Sequence, residues 1–372
     1  MQTIRVAARC LGLGTAWAIG LCLLVSSSAN AEAADEVRFI LLQAKPSAYA
    51  IVEAAGTSEN SRARLAAFEA AEHAPDAAFD LARNGMSDEN PAVRFGALVT
   101  IGKLKLRSLS DAAMDLTRDK NESVRAAALF AAVQCGREVN LSPLAGMLAN
   151  GSSGARANAA MLIGHLGDPQ AIDMLRDMAA KPMTRVSPAR RTWVRLQFAE
   201  AMIRLNPDDA EVLGTIRASV YSNLDDVRVL AIQILGEVGD RSVMGGLAHI
   251  IKRDNPIQVK IAAAQSLVQM GDSQAATVLF NASRYDDARL RKDLNDYLRN
   301  TEISGPEANA IRDLLGDEQE RVRAAADVRA QATVGLGDVR TKAAAQRLKA
   351  LLEDPDEIVR VAAASSILRA TR

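Results

Sequence analysis

Residues 225–240 read DDVRVLAIQILGEVGD, and this stretch decides the fold. Val227, Ala231 and Leu235 recur every fourth residue. At about 100° per residue they fall within an arc of about 80° on a helix, a stripe suited to burial along one side. Gly239 and Asp240 then close the stretch. Glycine ends a helix in a left-handed turn, and aspartate accepts from the free N–H groups of the helix that follows. The segment therefore predicts an amphipathic helix, a tight turn and the start of a second helix.

The same arrangement recurs in both directions. An apolar residue followed by a basic one anchors PAVRFGALVTIG, ESVRAAALFAAV, GARANAAMLIGHLGD, TWVRLQFAEAMI, IQVKIAAAQSLVQMGD, ARLRKDLNDYL, ERVRAAADVRA and EIVRVAAASSIL. With Val227 the anchors are Val93, Val124, Ala155, Val194, Val259, Leu290, Val322 and Val359, spaced 31 to 39 residues apart. A weaker copy, Ala63-Arg64, precedes them by 30 residues. Positions 0, +4 and +8 from the anchor are apolar in every one of the nine segments. Shorter amphipathic stretches lie between, such as LSDAAMDLTR (109–118), AIDMLRDMAA (171–180), SVMGGLAHIIK (242–252) and TKAAAQRLKALLE (341–353). The unit is two antiparallel helices, and a fixed period of this length marks a repeat architecture. The expected fold is all-α, an α-α superhelix of about ten helical hairpins. Each pair buries its stripe against its neighbours, which predicts one linear solenoid.

The pattern VRxxAAxxLGxxGD resembles HEAT repeats, in particular the short subtype also found in phycobilisome lyases, over roughly residues 59–372. The resemblance implies a ladder of Asp and basic side chains linking successive repeats, with the Asp six residues before the basic residue. Asp88 with Arg94, Asp119 with Arg125, Asp254 with Lys260, Asp317 with Arg323 and Asp354 with Arg360 match it. Asn150, Ala189, Ser222 and Tyr285 stand at the Asp position of other copies.

The chain opens differently. Arg5 and Arg9 precede an uncharged apolar run from Leu11 to Val25 and the small-residue sequence Ala29-Asn30-Ala31. That order predicts a signal peptide over residues 1–31, export to the periplasm or the extracellular space, and a mature chain without a transmembrane span. Residues 32–58 depart from the repeat and carry Pro46, which reads as a helical N-terminal cap with a breaker. Cys10 and Cys22 leave with the signal, so the mature chain keeps Cys135 alone, in an apolar helical stretch where a thiol is a small buried hydrophobe. Loss of Arg5 and Arg9 leaves the mature net charge near −2, and aromatics are 3% of the chain. Neither property suits nucleic-acid binding.

No catalytic, metal or cofactor site is expected. His73, His165 and His249 lie far apart and belong to no HExxH or His-Glu sequence, unlike deoxyhypusine hydroxylase, a HEAT-repeat enzyme that carries iron on such pairs. No GxSxG or Walker A sequence occurs. Asp208-Asp209 and Asp286-Asp287 fall at helix starts, where carboxylates cap N–H groups. The chain reads as a non-enzymatic scaffold or adaptor that binds a protein partner on its inner surface. A bilin lyase-like or other chromophore-handling role and a structural part in the cell envelope are the alternatives.

Two surfaces are candidates for that partner. Positions +6 and +10 should face the inner surface; Val99, Phe130 and Met161 at +6 would form an apolar stripe, with His165 at +10 beside it. The second lies between Asp177 and Glu200, where Lys181, Arg185, Arg190, Arg191 and Arg195 occur without an acid. Pro182 and Pro188 predict a protruding basic loop over residues 181–195, suited to an anionic ligand.

Overall fold

Asparagine opens the first stripe-bearing helices. Asn60, Asn90 and Asn121 each accept from the backbone N–H two residues on, at 2.9–3.0 Å, satisfying a donor that the helix itself leaves free. Asp356 does the same further along, and Ser152 and Asp317 accept from the N–H three residues on. The computed structural model describes residues 14–183, 186–253, 256–300 and 304–372, with side chains from residue 32 onward except at 306 and 307.

The helices run α1 (Gly14–Ala55), α2 (Ser61–Ala71), α3 (Pro75–Gly85), α4 (Pro91–Leu104), α5 (Ser110–Asp115), α6 (Glu122–Gln134) and α7 (Ser142–Asn150). Next come α8 (Ser153–Leu166), α9 (Ala171–Ala180), α10 (Pro188–Leu205), α11 (Ala210–Ser219), α12 (Asp225–Val238), α13 (Met244–Lys252) and α14 (Ile257–Gln269). Then follow α15 (Ala276–Ala282), α16 (Asp287–Asn300), α17 (Pro306–Gly316), α18 (Glu318–Leu336), α19 (Lys342–Leu351) and α20 (Glu357–Ala370). No strand occurs among the described residues, so the fold is the all-α repeat array that the sequence predicts.

The array is not linear. Helices α2, α4, α6, α8, α10, α12, α14, α18 and α20 pack in succession, and α20 returns onto α2. The shorter helices pack on these but scarcely on one another. Helices on the inner side of a curve lie closest together, so the stripe-bearing helices line the inside of a closed ring. Closure removes the two end faces that an open solenoid must cover with capping repeats.

Helix α1 seals the seam. Its buried stripe of Val37, Leu41, Ala44, Ala48, Val52 and Ala55 packs in the groove between α2, α19 and α20. Polar contacts flank it: Lys342 Nζ lies 2.5 Å from Glu36 Oε1, and Ser58 Oγ is 2.8 Å from Glu357 Oε2. Arg62 pairs with Asp327. Pro46 does not break this helix, contrary to the sequence reading. It sits on the exposed side, so the Leu42 carbonyl that loses its N–H partner faces water.

Two registers also differ from the sequence reading. Val322 is 49% exposed, whereas Val328 in the same helix is 1% exposed. The true anchor is therefore Val328, 31 residues before Val359. The second reading concerns Leu290. Its helix, α16, leaves the ring with α17, because α14 packs directly on α18. Nine ring hairpins and one excursion make up the roughly ten helical hairpins that the sequence predicts.

Close approach of the inner helices depends on small residues. A Cβ at Gly164 would stand 3.0 Å from the Ala201 Cα of the next inner helix, and one at Gly102 would strike the Phe130 ring at 2.3 Å. Buried hydroxyls bond across the same interfaces at position +7: Ser266 Oγ donates to the Ile232 carbonyl at 2.9 Å, and Ser366 Oγ to that of Thr333 at 3.2 Å.

Candidate functional site

The ladder is built first, because it fixes the inner helices to one another. Arg64 Nε and Nη2 donate to Asp88 at 2.7 and 2.9 Å, and Arg94 reaches Asp119 in the same two-pronged way at 2.9 and 3.0 Å. Arg329 does so to Asp354 at 3.0 and 2.9 Å. Each arginine thus holds the aspartate of the following repeat, and its Nη1 also donates to a carbonyl: Arg64 to Ser58 O and Arg94 to Asp88 O, both at 2.8 Å. Arg360 Nη1 likewise donates to Asp354 O at 2.8 Å. Burial alone would raise the Asp88 and Asp119 carboxyls; the arginine and backbone donors outweigh it and hold both below the usual range. Arg64 and Arg329 belong to the ladder though the sequence reading omitted them.

Other members fare differently. Arg125 donates to the Asp119 and Lys120 carbonyls at 2.8 and 3.2 Å and pairs with no carboxylate among the described residues; Asn150 occupies the aspartate position. Asp317 and Arg323 stand outside the ladder, because the anchor of α18 lies six residues later. Asp317 caps α18 at Glu320 N, and Arg323 pairs with Glu320 at 2.9 Å. Asp254 lies outside the described residues; Lys260 is half-buried. Replacing Asn150 by Asp should supply the missing rung to Arg125. A charge-assisted pair at this partly buried place is expected to raise the unfolding free energy by about 1 kcal/mol, read from urea titrations of the two proteins.

On the inner face of the ring, α2, α4, α6 and α8 line a half-open pocket of about 480 Å³. Leu65, Phe68, Phe95, Val99 and Met161 form apolar walls, and Glu69, Glu72 and Lys103 the charged edge. Lys103 Nζ spans to Glu72 at 2.7 Å, and Asn158 Nδ2 donates to Ser123 Oγ at 2.9 Å on the opposite side. Burial, then the neighbouring Glu72, raises the Glu69 carboxyl above its ordinary value. Burial likewise raises Glu200 on α10. Both acids touch water yet stand within the ring wall, where surrounding protein weakens their solvation.

The structure unites Val99 and Met161 in one wall but removes Phe130 from it. Phe130 is 1% exposed, wedged against Gly102 with its ring 6.3 Å from that of His165. It is a core residue, because α4 and α8 close over the small-residue face of α6. His165 is half-buried, and its carbonyl accepts from Gln134 Nε2 at 3.2 Å. Of the remaining large wall residues, Leu65 and Phe95 sit at position +2, one turn before the position that the sequence reading scanned, and Phe68 sits at +5.

Burial, with Arg204 and Lys103 adding repulsion, lowers the His165 imidazole to about 4 from 6.5. A histidine with a depressed folded-state value binds its proton more readily when unfolded. Its contribution is therefore complete above about pH 6.5 and is lost as the pH falls toward 4, by about 3 kcal/mol. Glu69 and Glu200 act in the opposite sense, so the effect is best isolated by difference. Between pH 7.5 and 5 the wild type should lose more stability than His165→Gln; equal losses in urea titrations contradict the assignment.

The C-terminal part of the basic segment is helix and not loop: residues 188–195 belong to α10, which is lengthened by one N-terminal turn, and Met183, 4% exposed, is buried in the core. Arg190 and Arg191 lie in that first turn, Arg190 stacked 4.2 Å over Trp193. Lys181 is exposed, and Arg185 lies outside the described residues. None of these residues lines the cavity.

Among the described residues no cluster of His, Cys, Asp and Glu is arranged to hold a metal ion, and no helix is long and apolar enough to cross a membrane. Cys135 is buried, its thiol pushed up by desolvation. Asp209 caps α11 at Val212 N and pairs with Arg176; Asp286 caps α16 at Arg289 N.

The repeat geometry agrees with comparison to known sequences. The HEAT-repeat profile matches residues 48–131, 110–192 and 216–299, more than half of the chain. The chain belongs to the HEAT-repeat family. Residues 328–354 of this HEAT protein also match the PBS lyase HEAT-like repeat, beginning at the corrected anchor Val328. No curated protein sequence matches it. Among solved structures it is similar to the complex of CpcE and CpcF of phycocyanin lyase from Nostoc sp., at 16% identity and a TM-score of 0.37, over 64% of this chain and 93% of that one. It is also similar to human deoxyhypusine hydroxylase in complex with glycerol, at 15% identity and a TM-score of 0.33, over 87% of this chain and 96% of that one.

Proposed function

We propose that this HEAT protein is an exported, non-enzymatic scaffold that holds a protein partner inside its ring. The cavity between α2 and α8 carries this reading. Apolar walls bounded by a few charged groups suit a buried anchor side chain with a polar rim. Val99 and Met161 are wall residues that are only partly buried, so they can be changed without emptying the core. Capture from a periplasmic or culture-medium fraction should lose the partner with Val99→Asp or Met161→Asp while the unfolding midpoint shifts by only a few degrees. Retention of the same partner by both variants rejects the cavity as its seat. A bilin that binds with a change in its visible spectrum, again dependent on Val99 and Met161, would assign the cavity to chromophore handling.

Export rests on the N-terminal sequence. Cleavage after Ala31 would fall within α1 and leave its seam residues, Val37 to Ala55, in place. Intact mass should place the N-terminus of the exported chain at Glu32; a chain that stays inside the cell overturns export.

A further inference from the structure

The ladder has a gap where its charges are most concentrated. In the filled rungs an aspartate stands between the guanidinium groups of adjacent inner helices, as Asp88 does between Arg64 and Arg94. Arg156 on α8 and Arg195 on α10 are the next two ladder arginines after Arg125, and no carboxylate lies between them, because the added turn of α10 replaces the aspartate-bearing turn. Arg156 is 4% exposed, donates only from Nη2 to the Met178 carbonyl at 2.9 Å, and leaves its Nε without a partner. Burial and the charge of Arg195 both disfavour its protonated form. A buried guanidinium without a counter-ion is costly, and arginine does not escape the cost by losing its proton.

The surroundings increase the charge instead of balancing it. Arg191 and Arg195 are four residues apart on α10 and so share a face. Neither forms an ion pair among the described residues, and Lys181 nearby in sequence forms none. Arg190 is held by Trp193 and lies 3.4 Å from Ser153 Oγ at the start of α8.

We propose that this open rung, formed by Arg156, Arg191 and Arg195, receives a carboxylate from an acidic segment of a partner protein. A carboxylate fits better than a phosphate because the filled rungs bind one through paired Nε and Nη2 donors. The proposal rests on the partner-binding reading only for the source of the acid, and it uses a surface separate from the cavity.

The test is binding of a fluorescent oligoglutamate peptide to the full chain at low salt, with oligoglutamine and inorganic phosphate as comparisons. Oligoglutamate should bind and oligoglutamine should not. Arg191→Ala/Arg195→Ala should weaken binding at least tenfold, whereas Arg83→Ala, an exposed charge removed elsewhere, and Val99→Asp should leave it unchanged. Equal affinity in the double variant overturns the proposal, as does displacement of the peptide by phosphate at lower concentrations than by free peptide. Failure here with a partner still lost by Val99→Asp rejects the rung and leaves the cavity standing.

Discussion

Replacing Ala48 by Asp should open the ring. Ala48 is fully buried at the seam, where α1 meets α19 and α20 across almost the whole length of the chain. A carboxylate there loses its hydration in an apolar contact, a cost of about 3–5 kcal/mol. The seam joins elements distant in sequence, so it can be lost while the contacts between successive hairpins remain. Small-angle X-ray scattering should show a larger radius of gyration for the variant, with helical circular dichroism largely retained. A variant with the compact dimensions of the wild type would show that closure does not depend on α1.

Phe130→Ala is the second large effect, and it is an effect on stability. The ring fills the space against Gly102 and beside His165 with 1% of its surface exposed. Truncation leaves a cavity between inner helices that are already in close contact and cannot readily collapse, at about 3–5 kcal/mol. Urea or thermal unfolding measures this directly. An unchanged midpoint combined with loss of a partner would return Phe130 to the binding surface on which its position in the repeat had placed it.

That reversal shows which properties are local. The repeat was legible because each inner helix needs apolar residues at 0, +4 and +8 whatever its partner, and because Gly and Asp mark its ends. Asp88, Asp119 and Asp354 were legible as ladder residues for a similar reason: their distance from the next arginine is set within one turn and one helix. Other features depend on relations between helices. Val99, Phe130 and Met161 occupy equivalent positions, yet only Phe130 is covered, because α4 and α8 converge over the alanines of α6. In α18 two Val-Arg pairs fit one pattern, and only packing against α14 and α20 selects Val328 over Val322. Ring closure lies furthest from the sequence. It is the sum of small rotations between nine hairpins, and no single residue states that sum.

The cavity was half legible. Val99 and Met161 were found by scanning position +6, but Leu65 and Phe95 at +2 and the acid pair Glu69 and Glu72 on α2 were not, since the first repeat departs most from the pattern. The basic segment was visible as composition, while its arrangement as an added helical turn with an open rung beneath it required the neighbouring α8.

Closure of the ring is the claim that most separates this fold from an open solenoid, and Ser58 and Glu357 test it most directly. Their side chains are 2.8 Å apart across the seam, 299 residues distant in sequence. With Cys10, Cys22 and Cys135 replaced by Ser, the pair Ser58→Cys/Glu357→Cys should be joined within a single chain by a short thiol-specific cross-linker, giving a monomer with altered mobility on a denaturing gel. Failure to cross-link, or cross-links only between chains, would contradict the closed ring.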